Sequence, residues 1–536
     1  MALTQSQIDA LIQNDGESTA INTILSQLNL AIGGLVAVSI PLRGVGTRAG
    51  IIGGLSTGLT DGTTGTGATY RTMHNSGPNG CINPTLIYAN WGWGASGYFP
   101  GTNQITIQAA IEYNGDVYQA SFPNGSLSAT IDAGATISTN VIGLFIPPNT
   151  QYYERTYINV ASLGMKWPIG RGASNQIGVG YEGSNYTTGG ANVLLTPGAL
   201  TSPQITYQYA AIAIVGKQLL SGDQRCILAL GDSIAAGTGD ISPTSQNAAA
   251  WTGNTGWIER ALMSNISWLS ASRGGFKTAN AMASIDKLLA VAQYCSSCID
   301  ELIVNDIFGS VLTLNAVQAG KLALWVQLNS AGLSVWGVTC TPYTTSSDSW
   351  ATTQNQTLYL AGSGSGGTAT GELCRLGYNA WLRAGAPIVG GVAVAVGTAG
   401  ALTIGVAGHP LAGFIDCAGQ AESAPNSGLW SVASVRSVAD GAVSASSTTF
   451  TSATGAFTSA DYGKPINISG AGTAGAVLST SITIINSSTS IVLANAASTS
   501  VTNALTTLGF PTADGLHPHV PITSNIISIV PLGAFK

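Results

Sequence analysis

Ser233 follows a short apolar run in the sequence CILALGDSIAAGTGD, which spans residues 226–240. The run stops at Gly231 and small residues follow. This pattern fits either a tight turn or a nucleophile exposed at the end of a buried strand. An activated serine needs a base within hydrogen-bonding reach and a third group that orients the base. A nucleophile at Ser233 therefore requires these two groups elsewhere in the chain.

Histidine is the usual base for a serine nucleophile. The chain contains four histidines: His74, His409, His517 and His519. The last two lie in ADGLHPH, just before the final apolar segment SNIISIV. Asp514 precedes His517 by three residues, and on one turn this spacing lets a carboxylate accept a hydrogen bond from the imidazole Nδ1–H. We predict a triad of Ser233, His517 and Asp514.

The other histidines and the cysteines do not suggest a metal or redox site. His519 has no evident third ligand for a metal, and we expect His74 and His409 to be structural. The seven cysteines include one close pair, Cys295 and Cys298. Neither a second pair for zinc nor the βαβ context of a redox motif accompanies it. We expect buried free thiols, and neither a metal nor a cofactor.

Four motifs occur in the order that is typical of the GDSL, or SGNH, hydrolase family, and the chain resembles that family over roughly residues 222–430 and 511–536. The family has a Gly-Asp-Ser block, a Gly block, a Gly-x-Asn-Asp block and an Asp-x-x-His block. This chain has GDSIAAG with Ser233, SRGGFKT with Gly274 and Gly275, IVND with Asn305 and Asp306, and DGLH with Asp514 and His517. Ile303 replaces the glycine of the third block.

The resemblance implies a serine esterase that needs no metal or cofactor. Ser233 would attack an ester carbonyl, His517 would act first as base and then as acid, and Asp514 would orient the imidazole. The Ser233 N–H, the Gly275 N–H and the Asn305 amide would form the oxyanion hole. The glycine block matches the family pattern loosely, and Gly275 is our choice over Gly274.

Further candidates for substrate contact are two acids and two tryptophans. Asp232 and Asp306 adjoin motif residues. Trp91 and Trp93 lie in the aromatic sequence YANWGWGASGYF, residues 88–99. Aromatic faces stack on sugar rings, so these tryptophans would suit a glycan platform. The alternative is burial in the core, where large aromatic side chains usually lie.

The composition limits the class of protein. A chain of 536 residues suggests roughly two to four domains. Charged residues make up 8% of the chain, against about 25% in ordinary soluble proteins. The net charge is −6 and no Lys/Arg cluster is present, which argues against nucleic-acid binding. Such a hydroxyl-rich and glycine-rich chain is typical of β-rich extracellular or assembled proteins.

Hydrophobic patterning predicts a multidomain fold that combines α/β and all-β parts. Apolar strands that alternate with amphipathic helices indicate a parallel sheet covered on both faces, which is flavodoxin-like in the resembled family. We expect the runs CILAL and ELIV to be strands ending at motif residues. The predicted domains are an attachment or oligomerisation helix (1–35), a jelly-roll-like β-sandwich for glycan binding (36–220), the hydrolase domain (221–430 and 511–536) and an inserted β module (431–510).

Two segments bear on targeting. Residues 384–415 form an uncharged run long enough to span a membrane, but the run alternates and is interrupted by glycines. We therefore predict a β-hairpin there and no transmembrane segment. The first residues lack the basic and apolar regions of a secretory signal, so we expect none.

The family resemblance and the composition together suggest a substrate. SGNH enzymes include carbohydrate deacetylases and lipid esterases, and a hydroxyl-rich chain with β modules favours O-acetylated polysaccharide. Residues 431–510 also resemble β modules of bacteriophage tail fibres and tailspikes. This second resemblance implies a virion or extracellular protein that deacetylates a host surface glycan. It also implies a homotrimer that binds other tail proteins through its N-terminal region, with no nucleic-acid or membrane partner.

Two alternatives stay open. The first is a lipid or lysophospholipid acyl esterase, which would need a contiguous apolar groove for the acyl chain. The second is an adhesive or structural virion protein whose SGNH domain no longer turns over. The complete set of Ser233, His517 and Asp514 argues against the second alternative.

Overall fold

A computed structural model describes residues 41–46, 54–61, 65–94, 96–171, 183–185, 191–200, 207–218, 224–240, 256–262, 265–359 and 370–536. The helix predicted over residues 1–35 lies outside the described residues.

The first part of the chain is built from antiparallel sheets. Its strands are β1 (Arg43–Gly44), β2 (Gly54–Asp61), β3 (Gly67–Asn75), β4 (Cys81–Ala89), β5 (Trp91–Gly94), β6 (Gly97–Pro100), β7 (Ile105–Tyr113), β8 (Asp116–Gln119), β9 (Ala129–Ile131), β10 (Thr136–Ser138), β11 (Phe145–Ile146), β12 (Gln151–Asn159), β13 (Lys166–Arg171), β14 (Gly183–Asn185), β15 (Tyr207–Gln208) and β16 (Ala213–Lys217). The larger sheets have the orders β1-β16-β4-β10 and β14-β3-β12-β7-β8. A buried hydrogen bond of 2.8 Å from the Tyr88 hydroxyl to Glu154 joins them.

The second part contains a parallel sheet of order β18-β17-β19-β20-β25. Its strands are β17 (Cys226–Gly231), β18 (Ser267–Ser272), β19 (Ser297–Asp300), β20 (Ser334–Val338) and β25 (Leu411–Ile415). Every residue of β17, β19 and β20 is buried, as expected for strands covered on both faces. The prediction of a parallel α/β sheet is confirmed. The strand near the third motif, however, is SCID rather than ELIV, because the chain turns immediately after Asp300.

Helices flank this sheet. They are α1 (Trp257–Leu262), α2 (Thr278–Ala283), α3 (Ile285–Ala292), α4 (Leu314–Ser330), α5 (Thr370–Arg383), α6 (Cys417–Ala421) and α7 (Val520–Ser528), with a π-helical turn at Asn305–Gly309 and a 3₁₀ turn at Leu532–Ala534. Helix α4 begins after Thr313, whose hydroxyl accepts a hydrogen bond from the Ala316 N–H. The same helix buries Lys321 and Trp325, which both donate to Asp300 at the end of β19, at 2.8 and 2.7 Å.

In the described residues of the second part, two short hairpins lie outside the parallel sheet. They pair β21 (Thr344–Ser346) with β22 (Gln356–Leu358), and β23 (Ile388–Val389) with β24 (Val392–Ala393). The hairpin predicted over 384–415 is thus limited to β23 and β24, because glycine-rich turns follow and Leu411–Ile415 joins the parallel sheet. Within the ranges that the structure describes, no helix has the length and apolar character needed to cross a bilayer.

A closed barrel lies between α6 and α7. Its strands are β26 (Arg436–Val443), β27 (Thr449–Thr451), β28 (Pro465–Ile468), β29 (Leu478–Ser487), β30 (Ser490–Leu493) and β31 (Val501–Leu508), with 3₁₀ turns at Ser459–Asp461 and Thr473–Gly475. Residues such as Phe450 and Ile466 form a core separate from that of the rest of the chain. Arg436 pairs with Leu508, so the chain enters and leaves the barrel at adjacent positions.

The seven cysteines all lie in described ranges, and all are buried and free. The prediction of buried free thiols is confirmed. Burial raises the pKa of Cys81, Cys298 and Cys417, which keeps these groups in the thiol form.

Candidate active site

Ser233 lies in a tight turn directly after β17. The Ala236 N–H donates to the Asp232 carbonyl at 3.0 Å, and further turns follow up to residue 240. The described residues after the serine therefore form consecutive turns. Gly231 is required at the end of the strand, because a Cβ there would overlap the side chain of Ala235.

Ser233, His517 and Asp514 form a continuous chain of contacts. The Nε2 atom of His517 lies 2.9 Å from the Ser233 Oγ. The Nδ1 atom of His517 lies 2.6 Å from Asp514 Oδ2. With the ring proton on Nδ1 directed at the carboxylate, Nε2 is free to accept the serine proton. The structure therefore brings together the three residues that the motif spacing predicted.

The carboxylate of Asp514 is held in its ionised form. Burial acts to raise its pKa, but hydrogen bonds from the His517 ring and from the backbone N–H groups of His517 and Leu516 outweigh burial and hold the pKa well below its ordinary value. Ser233 and His517 are each half-buried, so both side chains reach solvent. A substrate can approach them from the surface.

The turn that carries His517 is fixed by two neighbouring segments. The Gly515 carbonyl accepts hydrogen bonds from the Trp430 indole N–H at 2.8 Å and from the Thr344 backbone N–H at 3.0 Å. Gly515 has a φ of +81°, and a Cβ there would overlap the Thr344 carbonyl, so only glycine fits. A Cβ on Gly239 would lie 2.9 Å from the His517 Cβ, which shows how tightly the two turns pack.

The residues predicted for an oxyanion hole lie in two connected loops. A Cβ on Gly274 would lie 3.8 Å from the Ser233 Cβ, so this glycine directly faces the serine. Gly275, our choice from sequence, is the next residue and has a φ of +77°. The Asn305 side-chain amide donates to the Phe276 carbonyl at 3.3 Å, which ties the asparagine to the glycine loop.

The two acidic candidates for substrate contact are buried. Asp232 accepts a hydrogen bond from the Ile234 N–H at 2.9 Å. Asp306 accepts from the Thr278 N–H at 3.2 Å and from the Thr278 hydroxyl at 2.5 Å. These bonds hold the nucleophile turn and the start of α2, so both carboxylates have positioning contacts rather than a surface open to substrate.

The predicted tryptophan platform is wrong. Trp91 and Trp93 are both 0% exposed, so neither offers a face to a sugar. The Trp91 indole donates to the Thr136 hydroxyl at 2.9 Å. Trp93 stacks on Phe276 with ring centroids 4.9 Å apart, behind the glycine loop. The core alternative accounts for both residues.

Sequence reasoning missed Glu301, which follows β19. Its Oε2 accepts hydrogen bonds from the backbone N–H groups of Asp232 at 3.1 Å and Ala235 at 3.3 Å. Burial, and then the nearby charge of Asp232, raise the pKa of Glu301 well above its ordinary value. One feature of the sequence could have identified Glu301. It is an acidic residue directly after the buried strand β19, which lies beside β17, the strand that ends before Ser233.

The other histidines have structural surroundings. His74 is fully buried, and the His409 Nε2 lies 2.9 Å from the Ala386 carbonyl oxygen. Burial lowers the pKa of His519 to about 4, so this ring is neutral near pH 7. Among the residues that the structure describes, no group of three His, Cys, Asp or Glu side chains has the arrangement of a metal site.

No protein-family model and no curated protein sequence matches the chain. Solved structures do match parts of it. The psychrotrophic esterase EstA from Pseudoalteromonas sp. is 23% identical, with a TM-score of 0.17, over 22% of this chain and 60% of that one. AlinE4, an SGNH-hydrolase family esterase, is 24% identical, with a TM-score of 0.19, over 23% of this chain and 62% of that one.

A third match covers more of the chain. A family two carbohydrate esterase from Clostridium thermocellum, solved in complex with cellohexaose, is 12% identical, with a TM-score of 0.22, over 59% of this chain and 78% of that one. The chain spans about three fifths of the length of the first two structures. All three neighbours are esterases by their descriptions.

Proposed function

We propose that the protein is a serine esterase that removes O-acetyl groups from a polysaccharide. The observation that carries this proposal is the contact chain from Ser233 Oγ through both nitrogens of His517 to Asp514, at 2.9 and 2.6 Å. A serine, an imidazole and an ionised carboxylate in this order are the parts that acyl transfer to a hydroxyl requires.

The reaction proceeds in two halves. Ser233 Oγ attacks the ester carbonyl carbon while its proton moves to His517 Nε2. The tetrahedral intermediate then collapses, His517 returns the proton to the leaving sugar oxygen, and the acyl group stays on the serine. Water attacks this acyl-enzyme with His517 again as base, which releases acetate and restores the serine. Asp514 stays ionised throughout and stabilises the imidazolium.

Negative charge develops on the carbonyl oxygen in the tetrahedral intermediate, and hydrogen-bond donors beside Ser233 must stabilise it. The serine N–H, an N–H of the glycine loop at Gly274 and Gly275, and the Asn305 amide are the groups that we assign to this role. The proximity of Gly274 to Ser233 and the bond from Asn305 to the Phe276 carbonyl support the assignment.

The proposal also covers the kind of substrate and the place where the protein acts. The half-buried positions of Ser233 and His517 suit an ester on a bulky polymer, because such a substrate cannot enter a deep pocket. Charged residues make up only 8% of the chain, and β domains accompany the hydrolase domain. Both features suit a virion tail fibre or spike, or another extracellular protein, that acts on a host surface glycan. In that setting the chain would form a trimer and bind other tail proteins through its N-terminal region.

Acetate release from acetylated xylan and from p-nitrophenyl acetate tests the proposal. Ser233→Ala should lower the rate by several orders of magnitude, since loss of the nucleophile of a serine protease costs on the order of 10⁶. Ser488→Ala, at an exposed barrel position, is the matched control and should keep the rate. If wild type and Ser233→Ala are equally inert on these substrates and on long-chain acyl esters, the esterase proposal is wrong.

A further inference from the structure

Phe308, Tyr343 and Tyr359 form a cluster of three aromatic side chains. The cluster lies next to the segments that carry Asn305 and His517. Phe308 lies in the same π-helical turn as Asn305. Tyr343 directly precedes Thr344, whose N–H donates to the Gly515 carbonyl in the turn that carries Asp514 and His517. Burial, then the neighbouring Tyr359 and the charge of Asp514, raise the pKa of Tyr343. The cluster therefore connects the Asn305 loop with the histidine loop.

The rings are arranged as a compact layer. Tyr343 and Tyr359 stack with centroids 3.9 Å apart and an interplanar angle of 21°. Phe308 packs edge-on against Tyr343 at 5.3 Å and against Tyr359 at 6.4 Å. The edge-on contacts of Phe308 have a geometry that favours aromatic pairs, and they hold the phenylalanine against both tyrosines.

The layer rests on a fixed hairpin. The Tyr359 N–H donates to the Tyr343 carbonyl at 2.9 Å, which extends the β21–β22 ladder by one pair. The Trp350 indole N–H donates to the Thr344 hydroxyl at 2.8 Å and fixes the hairpin from within. Because Thr344 also binds Gly515, the tyrosine pair and the His517 turn keep a constant relative position.

Tyr359 is the solvent-exposed ring of this layer. Tyr359 is 36% exposed, and Tyr343 is half-buried, whereas Trp91, Trp93 and Trp430 are fully buried. Core packing accounts for the tryptophans but leaves the exposed tyrosine unexplained. A tyrosine combines an apolar face with a hydroxyl at its edge, which matches the C–H face and hydroxyl rim of a pyranose.

We propose that Phe308, Tyr343 and Tyr359 form the subsite for the sugar ring that carries the acetyl ester. This inference rests on the proposed esterase function. The pyranose stacks on the exposed ring of Tyr359, and Tyr343 and Phe308 hold that ring in place. An open, hydroxyl-bearing surface suits a sugar better than an acyl chain, which gains most from an enclosed apolar groove.

A comparison of two substrates tests the subsite. The probes are an O-acetylated xylo-oligosaccharide and ethyl acetate, which has no ring to stack. Tyr359→Ala should lower the ratio of kcat/KM for the oligosaccharide to that for ethyl acetate about tenfold, mainly through KM. Tyr359→Phe keeps the aromatic face and should retain most of that ratio. Tyr118→Ala, at a half-buried tyrosine of β8, is the control for general loss of stability.

Binding provides a readout that does not need turnover. In a Ser233→Ala background, calorimetric titration with the same oligosaccharide should show a Kd about tenfold weaker when Tyr359→Ala is added. If wild type hydrolyses neither ester, the esterase function is wrong, but the titration still decides whether the subsite exists. Three results would overturn the subsite: no binding by Ser233→Ala, equal binding with and without the Tyr359 ring, or a selective loss on long-chain acyl esters instead.

Discussion

The carboxyl group of Glu301 accepts a hydrogen bond from the backbone N–H of Asp232 at 3.1 Å, one residue before the proposed nucleophile. It also accepts one from Ala235 at 3.3 Å, so a single buried side chain holds the turn on both sides of Ser233. The end of β19 thereby fixes the turn that follows β17. Glu301 is thus a positioning residue, because it acts on the serine through the backbone.

Removal of this side chain should destabilise the protein. Glu301→Ala leaves two buried N–H groups without an acceptor, which should lower the free energy of unfolding by about 2–5 kcal/mol. Glu301→Gln keeps an amide oxygen as acceptor and should lose much less. Urea denaturation measures both variants against wild type. Equal midpoints for wild type and Glu301→Ala would show that these contacts do not support the turn.

Stability should fall as the pH rises through neutrality. Burial raises the pKa of Asp232 from 3.8 to about 7. The folded state therefore binds this proton more tightly than the unfolded state, so the contribution is complete below pH 3.8 and is lost as the pH rises through 7. Asp232→Asn removes the titration of this carboxyl and should weaken the dependence, leaving the contribution of the neighbouring Glu301, whose pKa is also raised. Unfolding at about pH 5 and about pH 8 measures it, and an identical pH dependence in both proteins would contradict the assignment.

Loss of the Asp514 charge should impair catalysis with little effect on folding. An asparagine side chain at this position cannot hold the imidazole with its proton on Nδ1, so Asp514→Asn should lower kcat for ethyl acetate by about 10⁴, as in other serine triads. Asp286→Asn is the matched control, because that side chain is 73% exposed and lies on α3. Equal rates for the two variants would remove Asp514 from the proposed mechanism.

The barrel should be dispensable for the chemistry. It has its own core, and the contacts that hold Gly515 come from Trp430 and Thr344, which both lie outside it. Replacement of residues 436–508 by a short Gly/Ser linker should keep ethyl acetate hydrolysis, because Arg436 and Leu508 are paired neighbours. Initial rates measure the outcome. A soluble, folded variant without activity would show that the barrel contributes to the site.

Some parts of this site could be predicted from the sequence because they depend on local spacing. Asp514 and His517 lie on one turn, so the three-residue interval alone predicts their contact. The partner serine could be identified because it follows an apolar strand in a recurring motif. The choice between Gly274 and Gly275 was beyond reach, since it depends on how the loop folds against Ser233.

Other parts depend on long-range packing, which the sequence does not show directly. Trp91 and Trp93 are of a residue type that binds glycans when exposed, yet both lie in the core. Tyr343 and Tyr359 stack only because a hairpin brings them together. The residues after Glu301, Leu302 to Val304, are as apolar as a strand, but they form a buried turn. Residue types alone do not distinguish these outcomes.

The most direct test of the central claim is covalent labelling of Ser233. An alkyl fluorophosphonate should react once with the wild-type protein, and peptide mass spectrometry should place the added mass on Ser233. Ester hydrolysis should fall in proportion to the labelled fraction, and Ser233→Ala should take up no label. Full hydrolysis by labelled protein, or by Ser233→Ala, would show that Ser233 is not the nucleophile and that another group performs the chemistry.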